Sequence, residues 1–180
     1  MDPAMWLRIG PQTPLTEKWK VTDLRDRIGA LRVLPLCELA GSPAYVRAAD
    51  GCGFYRLVDS DKSPIVAFLF TDGEIWLINT FFMQYDQRVI LLEEARLVRT
   101  LEQAAEMLKQ LGVAGPYRWV LGVEGIANRY LPAQTSFGGQ VGPCTVGVVE
   151  ASGLYGSGGN AAEAIEPFLV DLYDMCGKKR

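Results

Sequence analysis

The hydrophobic pattern is strongest in the middle of the chain, where two apolar runs flank a short polar turn. The runs are Pro64–Phe70 and Glu74–Asn79, and the turn between them is Thr71-Asp72-Gly73. Asp-Gly between strand-like runs is a strong hairpin signal, because glycine adopts a positive φ at little steric cost. Both alternating faces of the runs are apolar, which predicts a hairpin covered on both sides, with Trp76 largely buried. We therefore expect residues 64–80 to form the centre of the fold.

Helices are predicted on either side of this hairpin. Periodic apolar residues indicate a helix over Thr22–Leu34 and a stronger one over Leu101–Leu111, where Thr100 and Gln103 fit a capping box. Asn160 suits the N-cap of a final helix that ends near Gly177. Further short strands are predicted at 54–58, 117–123 and 144–150. Helices segregated from hairpin-paired strands are typical of an α+β fold, here a mainly antiparallel sheet around the 64–80 hairpin with two or three packed helices.

The length of 180 residues favours one domain. Residues 1–5, MDPAM, end at a second possible initiator methionine, Met5. They are interpreted as an expression-tag remnant outside the fold. Residues 6–180 are expected to form a single α+β domain, in which 6–20 is an extended arm and 6–53 could form a small N-terminal subdomain.

The composition excludes several kinds of chemistry and indicates no particular reaction. The chain has no histidine, so histidine bases, histidine nucleophile pairs and histidine metal ligands are excluded within it. The net charge of -3 provides no basic field for nucleic acid or an anionic membrane. The four cysteines are widely spaced, and we expect reduced thiols in a cytoplasmic protein. No apolar run reaches the length of a membrane span.

Two sequence features could carry catalysis or nucleotide binding. Asp59, Asp61, Asp72 and Glu74, with Lys62 nearby, resemble the acidic set of a metal-dependent nuclease, although each Asp also lies where a turn favours one. The Gly153–Gly159 loop lies between a predicted strand and a predicted helix, where backbone amides can bind phosphate. It contains neither a P-loop nor a complete dinucleotide fingerprint, and we expect a flexible connection.

A binding surface is predicted in the second half of the chain. The irregular, glycine-punctuated stretch around 117–130 gathers polar and aromatic groups, which is typical of binding residues on a rigid scaffold. The candidate ligand- or partner-binding residues are Tyr117, Arg118, Glu124, Asn128, Arg129 and Tyr130. Tyr117 and Tyr130 could also line an aromatic pocket together with Trp76, Phe81, Phe82 and Trp119, with Arg88, Arg118 and Arg129 at its edge. Alternation along the strands places most of these aromatic residues in the core more readily.

Three segments also carry a family resemblance. They are DGEIWLINT, PYRWVLGVEGIANRYLP and AIEPFLVDLYDMCGKKR. Their order resembles the C-terminal regions of bacterial proteins that carry a Schlafen/Alba-type DNA-binding domain at the N-terminus, over Ile65–Gly177. The DNA-binding domain itself is not recognisable, so no DNA-binding residue is transferred to this chain. The resemblance implies an accessory module that senses or oligomerises in a regulatory or defence-type protein.

These patterns together predict a cytoplasmic, non-enzymatic domain that binds a protein partner or a small ligand and uses no cofactor. We expect no direct nucleic-acid binding and no membrane association, and self-association is left open. The alternative is a metal-dependent nuclease or other hydrolase at the four carboxylates, which requires them to converge on a metal ion.

Overall fold

The computed structural model describes residues 3–39, 42–57, 64–80, 89–90, 92–132, 139–156 and 158–178. These residues form a seven-stranded antiparallel sheet with helices packed on one face, which confirms the predicted α+β class. The seven strands of this sheet are β1 (Ala4–Pro11), β2 (Ala44–Arg47), β3 (Gly51–Leu57), β4 (Pro64–Phe70), β5 (Ile75–Asn79), β6 (Tyr117–Glu124) and β9 (Val148–Tyr155). Two short strands, β7 (Leu131–Pro132) and β8 (Gln140–Val141), pair with each other in a separate two-stranded sheet. The helices are α1 (Val21–Leu24), α2 (Glu94–Gln110) and α3 (Ala161–Met175), with a 3-10 helix at Ile28–Val33.

The predicted hairpin lies near the centre of the sheet, whose strand order is β2-β3-β4-β5-β1-β6-β9. Strands β4 and β5 pair with Phe68 opposite Trp76 and Leu69 opposite Ile75. The backbone amide of Phe70 donates to the carbonyl of Glu74 at 2.8 Å, and Gly73 has φ +88°. The positive φ explains why glycine follows aspartate in this turn.

Strand β1 corrects the prediction for the N-terminus. It inserts between β5 and β6, so Ala4 and Met5 belong to the sheet rather than to a remnant outside the fold. Met5 and Leu7 alternate with Trp6 and Arg8, and the first pair is buried while the second is partly exposed. Without Ala4 and Met5 the alternating stretch before Gly10 is too short to indicate a strand, and the sequence instead predicts an extended arm over 6–20. Residues 6–53 contribute strands to the same sheet as the rest of the chain.

One face of the sheet is covered, and the main core lies there. Helices α2 and α3 pack on it, and their buried residues join inward-facing residues of the strands in one hydrophobic cluster. Trp119 is almost fully buried on this face and lies against Gly153 of β9, where a Cβ atom would come within 2.9 Å of the Trp119 ring. We call this side the covered face.

The helices differ from prediction at their starts. The segment predicted as one helix over Thr22–Leu34 is a single turn, α1, followed by the 3-10 helix. Helix α2 begins at Glu94, so Thr100 lies inside it rather than at its N-cap. Thr100 is fully buried, and its Oγ1 donates to the Arg96 carbonyl at 2.7 Å and accepts from the Leu36 amide at 2.9 Å. The hydroxyl therefore ties an irregular segment to the helix.

The C-terminal elements are close to prediction. Asn160 caps α3, accepting from the amides of Ala162 and Glu163, and Gly177 follows the helix with φ +79°. The predicted strand at 144–150 is displaced, because β9 runs from Val148 to Tyr155 and includes the first three residues of the predicted Gly153–Gly159 loop. Gly153 is thus a strand residue whose missing side chain makes room for Trp119.

Candidate binding surface on the second face of the sheet

The second face of the sheet is only partly covered by the described residues. Its side chains alternate with those of the core, are partly or fully exposed, and do not belong to the core cluster. The prediction that the hairpin is covered on both sides is confirmed for the first face, and Trp76 is partly buried on this second face. We call it the open face; its larger side chains are Trp6, Arg8, Tyr55, Val66, Phe68, Phe70, Glu74, Trp76, Ile78, Arg118 and Val120.

Three aromatic rings form a cluster on the open face, which we call the aromatic patch: Phe68, Phe70 and Trp76. The ring centroids of Phe68 and Phe70 are 4.7 Å apart, and those of Phe70 and Trp76 are 5.2 Å apart. Both pairs are tilted by 59°, a favourable arrangement for aromatic quadrupoles. The three rings are contiguous, and each of them is partly exposed.

An ion pair borders the aromatic patch. Arg8 Nη2 lies 2.9 Å from Glu74 Oε1, and Arg8 Nε donates to the same oxygen at 3.0 Å. The Arg8 guanidinium also lies 4.5 Å from the centroid of the Trp76 ring, within range of a cation–π interaction. Glu74 thus neutralises the arginine and holds it over the indole.

Glycines allow the aromatic side chains to lie along the sheet. A Cβ atom at Gly122 would overlap the ring of Trp6, and one at Gly51 would overlap Cε1 of Phe68. Large rings beside glycines on neighbouring strands shield the exposed backbone and limit the space below the ring. The open face is consequently lined by rings that lie against the backbone.

One polar atom of the patch has no partner among the described residues. Trp76 Nε1 is buried and makes no hydrogen bond, and the same is true of Trp119 Nε1 on the covered face. A buried donor without an acceptor costs free energy. The position of each tryptophan is therefore explained by the packing of its apolar ring and not by a hydrogen bond of its indole N–H.

The charges on the open face carry an acidic excess. Its described basic residues are Arg8 and Arg118, and its acidic residues are Glu74, Glu124 and Glu150. Arg8 is already neutralised by Glu74, which leaves one arginine against two carboxylates. Proteins that bind nucleic acid neutralise its phosphate groups with unpaired lysine and arginine side chains.

The residues predicted for a site at 117–130 do not converge. Tyr117 is buried in the core and donates from its hydroxyl to the Val113 carbonyl at 2.9 Å. Arg118 and Glu124 lie at opposite ends of β6, about 20 Å apart at the rise of an extended strand. Both residues lie on the open face, at its border. The sequence therefore predicted residues at the border of this face and did not predict those at its centre.

The remaining three predicted residues lie in the segment that follows β6. Asn128 has φ +62°, and its backbone N–H donates to the Cys144 carbonyl at 3.0 Å. The Arg129 carbonyl accepts from the Cys144 amide at 2.7 Å, and the Tyr130 carbonyl accepts from the Ile90 amide at 2.9 Å. Backbone contacts therefore fix this segment, while the side chains of Arg129 and Tyr130 stay partly exposed.

The pocket predicted from aromatic residues is also divided. Trp76 lies on the open face, whereas Trp119 and Tyr117 lie on the covered face. Phe81, Phe82 and Arg88 fall outside the described residues. Phe68 and Phe70, which the structure places beside Trp76, and Trp6 on the same face, were not among the predicted site residues. The sequence signal for Phe68 and Phe70 was their spacing at every second position of β4.

The carboxylates of the alternative, catalytic hypothesis have structural roles where they are described. Asp72 Oδ1 accepts from the Glu74 amide at 3.1 Å within the hairpin turn, and Glu74 is engaged by Arg8. Asp59, Asp61 and Lys62 lie outside the described residues. Across the described part of the chain, no cluster of three or more His, Cys, Asp or Glu side chains could hold a metal ion.

The cysteines correct a further prediction. Cys144 and Cys176 form a disulfide that links the loop before β9 to the end of α3, so they are not reduced thiols. Cys37 and Cys52 are free and buried. Burial raises the pKa of Cys37 to about 12, and its Sγ donates to the Val66 carbonyl at 2.9 Å. None of the described helices is long and apolar enough to cross a membrane.

No family model, curated protein or solved structure matches this chain. The resemblance to Schlafen/Alba-associated regions therefore stays a prediction. What the fold and the geometry define is an α+β protein whose antiparallel sheet has one face covered by helices and one open face with an aromatic patch.

Proposed function

We propose that this chain is a binding module that contacts a partner protein through the open face and catalyses no reaction of its own. The observation that carries the proposal is the aromatic patch beside the Arg8–Glu74 pair, outside the hydrophobic core. Tryptophan, phenylalanine and arginine are enriched in protein interfaces, and large contiguous apolar patches on a protein surface commonly mark interaction sites.

The charges support a protein partner over a nucleic acid. Aromatic rings could stack on bases, but nucleic-acid surfaces pair such rings with unpaired basic residues along the phosphate path. Among the described residues of the open face the carboxylates outnumber the arginines, and the whole chain carries a net charge of -3. A partner surface with an apolar centre and a basic rim is complementary to this arrangement.

Within this surface, Arg8 and Trp76 are the expected energetic centre. Their stacked side chains lie next to Phe70, and burial by a partner would remove both from water together. Fully desolvated tryptophan and arginine at the centre of an interface carry most binding energy in typical complexes. The surrounding residues, including Arg118 and Glu124 at the border, would contribute orientation more than affinity.

The regulatory or defence role implied by the family resemblance belongs to the same proposal, as does the cytoplasmic location expected from the sequence. The Cys144–Cys176 disulfide weighs against that location, because cytosolic thiols are normally kept reduced. The binding proposal itself depends on the open face and holds in either compartment.

Site-specific photocrosslinking tests the proposal, using a matched pair of tyrosines. Tyr55 lies on the open face, and Tyr45 lies on the neighbouring strand with its side chain on the opposite face. Each is replaced in turn by p-benzoyl-phenylalanine, and the cells that make the protein are irradiated. We expect Tyr55 to yield a defined covalent adduct with another protein, and Tyr45 to yield none. Equal adducts from both positions, no adduct from Tyr55, or adducts with nucleic acid would contradict the proposal.

A further inference from the structure

Strand β9 forms one edge of the sheet and differs from the opposite edge. It is eight residues long, contains no proline, and carries one charged residue, Glu150. Strand β2 at the other edge has four residues, and the guanidinium of Arg25 lies over its Tyr45 ring. Short or charged edge strands prevent unwanted pairing, whereas long unprotected edges pair with other chains. By this criterion β2 is protected and β9 is not.

The outward-facing backbone of β9 has no partner among the described residues. Pairing with β6 uses only one side of the strand, and no other described backbone group bonds to residues 148–155. Exposed apolar side chains accompany this free edge: Val148 is 55% exposed and Leu154 is 53% exposed. Met175, at the end of the helix that packs on β9, is 39% exposed. Unpaired backbone groups and apolar side chains therefore occur together at one border of the molecule.

We propose that β9 pairs antiparallel with β9 of a second copy of this chain, about a two-fold axis at Ala151. This register places Val148 opposite Leu154 of the second copy, so that the two exposed apolar side chains of each strand meet. It also places Glu150 opposite Ser152. Shifting the register by two residues would set Glu150 opposite its own copy, and like charges in direct opposition are destabilising. The side-chain pattern thus selects one register for a two-fold, self-complementary interface.

The second copy extends the sheet from seven strands to fourteen, with the aromatic patches far from the shared edge. Pairing adds about six to eight backbone hydrogen bonds over the length of β9. The interface includes none of the aromatic patch residues, so a chain that fails to dimerise could still bind a partner through the open face. The two proposals can therefore fail separately.

Sedimentation equilibrium of the full chain, at protein concentrations up to about 100 μM, tests the proposed pairing of β9 between two copies. It compares the wild type with two charge variants. V148K/L154K and V148K/L154E remove the same apolar side chains and differ only in the sign of one charge. In the proposed register the first variant sets lysine opposite lysine, and the second sets lysine opposite glutamate. We expect the wild type to sediment at twice 19.8 kDa. The dissociation constant of V148K/L154K should exceed that of V148K/L154E by about tenfold or more at low salt.

Oxidative crosslinking with copper phenanthroline tests the register directly. Glu150→Cys and Ser152→Cys place thiols at exposed positions that face each other only between copies. A mixture of the two variants should form a covalent dimer, and either variant alone should not. A monomeric wild type, dimers of V148K/L154K as tight as those of the wild type, or covalent dimers of each single variant as abundant as those of the mixture would overturn the proposal.

Discussion

At the scale of single residues, Trp119 and Trp76 show that the burial of a strand residue depends on the face of the sheet on which its side chain lies. Trp119 is 1% exposed in the core, whereas Trp76 is partly exposed on the open face. Trp119→Ala should lower the free energy of unfolding by about 3–5 kcal/mol, through lost transfer free energy and a cavity. Trp76→Ala should cost at least about 1 kcal/mol less, because part of its ring already contacts water. Denaturant unfolding of both variants measures this difference; equal costs would mean that the second face is also core.

The buried thiol of Cys37 provides a second prediction at this scale. Burial raises the pKa of this group to about 12 from its ordinary value of 9.0, so the folded protein holds it as a thiol. Iodoacetamide at about pH 8 should leave Cys37 unmodified in the native protein and modify it in denaturant, since only the thiolate reacts. Because the folded pKa exceeds the unfolded one, this group favours folding below pH 9.0, and the contribution is lost as pH rises toward about 12. Rapid native modification, detected by mass spectrometry, would contradict the assignment.

At the scale of elements, the sequence predicted those structures that local chemistry determines. The Asp-Gly hairpin and the Asn160 cap are confirmed, since each depends on backbone geometry within a few residues. Helix α2 was predicted too short because Thr100 was interpreted as a cap. Its hydroxyl instead bonds within the helix and to Leu36, a contact 64 residues away in sequence. Long-range contacts of this kind leave no local signal.

The binding surface was harder to predict for the same reason. Which face of an apolar strand the helices cover depends on the order of strands in the sheet, and β1 enters between β5 and β6. That insertion brings Arg8 to Glu74 and Trp76, which are 66 and 68 positions away in sequence. The irregular segment at 125–130 resembled a binding loop, yet its conformation is explained by backbone bonds to Cys144 and Ile90.

The Cys144–Cys176 disulfide allows a prediction for the C-terminal elements. It connects the start of the β9 region to the end of α3 across 32 positions, beside the bonds from Thr145 to the Met175 carbonyl. Replacing both cysteines by serine should lower the free energy of unfolding by about 2–4 kcal/mol. Thiol reductant should lower the melting temperature of the wild type and leave that of the double variant unchanged. A reductant-insensitive wild type would show that the disulfide does not stabilise the fold.

At the scale of the whole molecule, the two faces of the sheet divide stability from binding. The covered face holds the hydrophobic core with α2 and α3, and the open face carries the aromatic patch. The edge of β9 adds a separate surface for a second copy. On this account, substitutions in the patch weaken partner binding, whereas substitutions on the covered face destabilise the fold without changing the binding surface.

The most direct test of binding through the open face is the affinity of three variants for the partner protein that photocrosslinking identifies. Trp76→Ala removes the ring beneath Arg8, and Arg129→Ala with Tyr130→Ala alters the segment that the sequence alone favoured. Isothermal calorimetry of folded variants should show affinity about 30-fold weaker for Trp76→Ala, equivalent to about 2 kcal/mol, and nearly unchanged for Trp76→Phe. The Arg129/Tyr130 double variant should bind like the wild type. If the double variant loses binding while Trp76→Ala keeps it, the open face is not the binding surface.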